Sequence, residues 1–114
     1  MNYRSQRVGK VIREELSVLI GKELEFGGAL MTITEVETDK KLERANVLVS
    51  VWPAERAANV LKTLARARNR LQGLLLRKMN IRPMPQIHFS LDRGPEHAAG
   101  VEKVLLEDNN SKRN

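Results

Sequence analysis

The sequence predicts an α+β domain in which a three-stranded sheet carries helices on one face. Three observations predict it. Apolar residues recur at helical spacing in two long runs, over residues 4–24 and 53–79. Three shorter stretches are rich in Val, Ile and Thr, or alternate apolar with polar residues. The first two of these stretches are separated by only a few polar residues. The resulting order is α-β-β-α-(kink)-α-β with a short C-terminal helix, and 114 residues suit one domain.

In the first run Val8, Val11, Ile12, Leu16, Leu19 and Ile20 follow helical intervals. Ser5 is a candidate N-cap, while Gly27 and Gly28 supply the left-handed or extended backbone that ends the helix in a turn. Residues 30–38 read as a strand, although Ile33 and Val36 differ in parity, which points to a bulge or to a strand covered on both faces. Asp39, Lys40 and Lys41 form a polar turn, after which Ala45, Val47, Val49 and Val51 share one face of a second strand. So short a separation makes the pair a hairpin.

Pro53 follows Trp52, and its fixed φ suits the first turn of a helix. Val60, Leu61, Leu64, Ala67, Leu71, Leu74 and Leu75 then keep helical spacing as far as Met79. The weak point is at Arg68 and Asn69. Asparagine is a poor interior helix residue and enters left-handed geometry more readily than most, so a break is expected at Ala67, Arg68 and Asn69. Arg82, Pro83 and Pro85 enforce extended backbone before a strand in which Ile87, Phe89 and Leu91 alternate with His88 and Ser90. Residues 92–95 read as a turn, and Ala98, Val101, Val104 and Leu105 as a short last helix. Residues 1–107 therefore form the domain and residues 108–114 a disordered polar tail.

A content of 41% hydrophobic and 30% charged residues is a globular balance, with no apolar run near the roughly eighteen residues that span a bilayer. Residues 1–7 lack the apolar core of a secretory signal. The absence of cysteine excludes disulfides, thiolate chemistry and cysteine zinc sites, and fits a reducing cytosol. His88 and His97 have no metal-binding or triad-like partners, and Gly27 and Gly28 lack the phosphate-loop patterns. No catalytic residue, metal ligand or cofactor is expected.

The net charge of +6 is unevenly placed. Residues 53–93 hold nine cations and two anions, a net +7, which leaves −1 for the rest of the chain. Lys62, Arg66 and Arg70 recur every four residues, with Arg77 beyond them, so they stack along one helix face. Their mutual repulsion does not help the helix, whereas a phosphate backbone relieves it and Arg can grip phosphate through two donors. A break at Arg68 and Asn69 adds backbone N–H groups at the start of a second helix, where anions bind readily. The candidate RNA-binding set is therefore Lys62, Arg66, Arg68, Asn69, Arg70, Arg77, Lys78 and Arg82. Its bland alternative is a solvated helix exterior. One Trp, one Tyr and two Phe are too few for a base-stacking surface, and Trp52, Phe26 and Phe89 read as packing residues. Backbone or shape recognition of folded RNA is favoured over sequence readout.

Three segments together carry a resemblance. They are RSQRVGKVIREELSVLI in the first helix, MTITEVETDKKLERANVLVSV in the hairpin, and ARARNRLQGLLLRKMNIRPMPQIHFSLD through the second helical run and third strand. In order and spacing the chain resembles the ribosome-binding factor A family. The resemblance implies a type II KH-like fold in which an interhelical AxG kink, here Ala67, Arg68 and Asn69, replaces the KH loop. Asn69 stands where that family has glycine, Asp39 and Lys41 stand where it usually has Ser and Asp, and Gly94 where Ser is common. It further implies a non-catalytic, cold-related, cytoplasmic role on the immature small (30S) ribosomal subunit. There the protein contacts 16S rRNA near the decoding region and helps late maturation and 5′-end processing. The implied partners are that subunit and a GTPase or other assembly factor that releases a monomeric protein; no membrane is involved. The competing readings are a generic KH-like nucleic-acid module and a basic protein-protein adaptor.

Overall fold

The computed structural model describes residues 3–93; the short helix expected near residues 98–105 and the tail at 108–114 lie outside the described residues. Helix α1 (Tyr3–Glu23) buries Val8, Ile12, Leu16 and Ile20, each four residues from the last, as one stripe. Val11 falls off that stripe and is exposed. Ser5 lies inside the helix rather than at its cap, because Tyr3 and Arg4 are already helical, and its carbonyl accepts a hydrogen bond from the Thr38 hydroxyl at 2.7 Å. The helix crosses the sheet most closely at Gly9, where a Cβ would stand 2.9 Å from the Val36 carbonyl oxygen. Only hydrogen fits there.

Strands β1 (Leu30–Thr38) and β2 (Arg44–Trp52) pair antiparallel, with Ile33 opposite Val49 and Val36 opposite Val47. The register shifts between Ile33 and Glu35, so Thr34 is the extra residue of a bulge, and that bulge brings Ile33 and Val36 to the same face despite their parity. In the connecting loop the Asp39 carboxylate accepts the N–H groups of Glu43 at 2.7 Å and Arg44 at 3.3 Å. Leu42 adopts a φ of 58° and is 1% exposed, so a loop that reads as polar inserts a leucine into the core.

A short 3-10 turn (Ala54–Arg56) leads into α2 (Ala57–Met79), after which β3 (Gln86–Leu91) pairs parallel to β2. Parallel neighbours need a crossover, and α2 supplies it. The sheet order is β1-β2-β3; α1 packs on β1, α2 on β3, and the helices on each other. Between the layers Ile33, Ala45, Val47, Val49 and Ile87 share one core with Val8, Ile12, Leu16 and Ile20 of α1 and Val60, Leu64, Leu71 and Leu75 of α2. Among the described residues no helix packs on the far face of the sheet, and at one end of it the paired Leu30 and Trp52 are 65% and 69% exposed. Trp52 is therefore not the packing residue expected.

The break expected at Ala67, Arg68 and Asn69 is absent, since α2 is helical through all three. Asparagine inside a helix costs about 0.7 kcal/mol relative to alanine. Burying one leucine contributes about 1.5–3 kcal/mol, and Leu64, Leu71 and Leu75 hold one register on both sides of Asn69. The left-handed asparagine is instead Asn80, whose φ of 53° closes the helix while its N–H donates to the Leu76 carbonyl at 3.0 Å.

Candidate nucleic-acid interface

Helical phase decides which cations of α2 meet solvent. With Leu64, Leu71 and Leu75 turned into the core, a rotation of about 100° per residue brings Lys62, Arg66, Asn69 and Arg77 to the opposite side, and all four are exposed. Arg82 is exposed in the loop that follows. Among the described residues, Lys62, Arg66, Arg77 and Arg82 enter no ion pair or side-chain hydrogen bond. From Lys62 to Arg77 the stripe runs roughly 22 Å at the helical rise. Lys62 and Arg66, one turn apart, and Arg77 further along raise the local potential without any compensating contact among the described residues, and an anionic backbone is the ligand that relieves it.

The rest of the expected set lies on the flanks. On the side facing α1, Arg70 forms an ion pair with Glu23, and Lys78 Nζ stands 3.5 Å from Glu15 Oε1. The crossed order of these pairs shows that the helices run antiparallel. On the side facing the sheet, half-buried Arg68 donates through Nη1 to the Ile87 carbonyl at 3.3 Å. Beside it the Gln72 amide donates to the Pro85 carbonyl and accepts from the Ile87 N–H, each at 2.8 Å. Arg68 is thus engaged with the sheet and is not part of the open stripe. Ala67 is half-buried, and Asn69 presents a side chain but no helix start, so the anion site expected from a break is not formed. Glu15, Glu23 and Gln72 border the site and were missed, because their contacts join segments far apart in the chain.

His88 lies on β3 opposite Asn46. Its imidazole pKa is lowered from the ordinary value of 6.5, first by partial burial and then by the repulsion of Arg44 and Arg68, which favours the neutral form. Among the described residues no three His, Asp or Glu side chains are placed to hold a metal ion, and no helix is long and apolar enough to cross a membrane.

The family model described as ribosome-binding factor A matches residues 4–105. The ribosome-binding factor A of Ectopseudomonas mendocina is 36% identical over 114 residues, covering 92% of this chain and 88% of that protein. That of Thermomicrobium roseum is 31% identical, covering 93% and 84%. The crystal structure of ribosome-binding factor A from Thermus thermophilus superposes with a TM-score of 0.63 at 23% identity, over 79% of this chain and 98% of that one. A homology model of the Thermus thermophilus factor, fitted into the cryo-EM map of its complex with the 30S subunit, superposes with a TM-score of 0.60 at 26% identity, over 82% and 96%. The sheet order and paired helices described above are accordingly those of a type II KH-like domain.

Proposed function

The chain belongs to the ribosome-binding factor A family, and on that premise we propose that it binds the immature 30S subunit with the outward face of α2 laid along 16S rRNA phosphates. The observation that carries the reading is the exposed stripe of Lys62, Arg66 and Arg77 continued by Arg82, none of them neutralised from within the described residues. Such a surface grips a backbone and reads shape, and positioning by phosphate contacts needs no base-specific partner. The protein acts by binding rather than by catalysis, as a cytoplasmic monomer. It assists late maturation and 5′-end processing of the rRNA, with growth in the cold as the demanding condition, and leaves through a GTPase or another assembly factor.

Four phosphate contacts give a log-log dependence of affinity on salt of about −3, at roughly −0.7 to −0.9 per contact. Lys62→Glu combined with Arg66→Glu is expected to weaken binding to purified small subunits severely and to flatten that slope by about 1.5. The fold survives, because both side chains are exposed. Arg68→Ala serves as the contrast: it removes a donor from the Ile87 carbonyl and lowers stability by about 1 kcal/mol while leaving affinity near wild type. Wild-type affinity and slope in a folded Lys62→Glu/Arg66→Glu protein would rule out the α2 face as the RNA surface.

A further inference from the structure

Two acids from α1 reach the border of the basic stripe, and among the described residues no acid pairs with a cation on its other side, where Arg68 and Gln72 bond to β3 backbone. Glu15 and Glu23 are two turns apart on α1, and Lys78 and Arg70 are two turns apart on α2, so the pairs form matching rungs about 12 Å from each other between antiparallel helices. The Arg70 and Lys78 side chains remain 67% and 51% exposed, and those of Glu23 and Glu15 25% and 32%. Ion pairs this open to water contribute little to stability and are weakened by salt. They nevertheless fix how many cations of the α2 face are available to an anionic ligand.

We propose that Glu15 and Glu23 are affinity-setting residues of the RNA surface. Each carboxylate occupies a cation that a phosphate would otherwise take, and so restricts the footprint to Lys62, Arg66, Arg77 and Arg82. The proposal rests on the reading of α2 as the RNA face. The chemistry is exchange of one oxyanion for another at the same donors: Arg70 and Lys78 are as well suited to phosphate oxygens as to carboxylates. While the acids hold them, RNA gains no counterion release at these two positions and meets two negative charges at the edge of its path. Binding is therefore weaker than the cation count of α2 suggests, and departure from the subunit correspondingly easier.

The test uses the full chain and purified small ribosomal subunits, with affinity measured across a salt series and dissociation followed directly. Glu15→Gln with Glu23→Gln keeps side-chain size and removes only the charge. The expected result is binding about tenfold tighter near 0.1 M salt, with a slope steeper by about 1.5, as two added phosphate contacts require. Dissociation should slow by a similar factor, since affinity changes within one interface fall mainly on the off-rate. Adding Arg70→Gln should take back about half of the gain in slope. If the double variant melts early, Glu23→Gln alone should still steepen the slope by about 0.8. Unchanged or weaker binding by the glutamine variants, with binding abolished by Lys62→Glu/Arg66→Glu, overturns the proposal and leaves the RNA face standing. If the Lys62→Glu/Arg66→Glu protein also binds normally, the face itself is wrong and the proposal falls with it.

Discussion

His88 shows how a single side chain can report on the fold without belonging to the site. Partial burial, followed by the nearby charges of Arg44 and Arg68, lowers its pKa in the folded protein. The unfolded chain therefore takes up the proton more readily. The stabilisation is complete above the ordinary value of 6.5 and is lost as pH falls from there through the folded value. Thermal melts between about pH 7.5 and 5.5 should show the wild type losing stability on acidification more steeply than His88→Gln. Identical profiles would mean that the imidazole feels neither burial nor arginines. The cations of α2 teach the opposite lesson. Lys62, Arg66, Arg68, Arg70 and Lys78 are alike in the sequence, and helical phase separates inward from outward but says nothing of partners. Glu23 is 47 residues from Arg70, and Ile87 is 19 from Arg68. Only the packing of α1 and β3 against α2 divides the open cations from the engaged ones.

Among the elements, α2 gives the sharpest contrast. Since Asn69 is an exposed interior helix residue, Asn69→Ala should raise stability by about 0.5 kcal/mol in denaturant titrations. Asn80→Ala should lower it by about 1 kcal/mol, because it forces a Cβ without asparagine's tolerance into left-handed backbone. A destabilising Asn69→Ala would revive the break. Read from the sequence, the departure from right-handed geometry falls at Asn69, whereas the structure places it at Asn80. Asn69 has leucines in register on both sides of it, whereas Asn80 comes where the apolar periodicity stops. The strands were more legible. The parity conflict between Ile33 and Val36 is a local signature of the bulge at Thr34, and the alternation of Ile87, Phe89 and Leu91 marks the face that meets α2. Leu42 was not legible, because Asp39, Lys40 and Lys41 set a polar local pattern and the decision to bury the leucine belongs to the core.

Taken whole, the molecule is two layers, and the layering assigns the surfaces. One face presents α1 and α2 with the cations of α2; on the other, among the described residues, the sheet carries no helix and has Leu30 and Trp52 at one end. The sequence revealed that the charge was segregated, yet its direction depends on the crossover through α2. That same helix treats the sheet asymmetrically. A strand at the margin of a sheet normally offers its peptide groups to any chain that can align with them, and many proteins polymerise by that route. At the β3 margin the Gln72 side-chain amide supplies to Pro85 and Ile87 the donor and acceptor that a neighbouring peptide would bring, and Arg68 fills the next carbonyl. A side-chain amide has no continuation, so it terminates the array where a fourth strand would extend it. Gln72→Leu uncovers these groups and should produce concentration-dependent self-association in light scattering, while the wild-type protein stays dispersed under the same conditions. Equal dispersity of the two would mean that the bulk of α2, and not the borrowed peptide chemistry of one glutamine, ends the growth of the sheet.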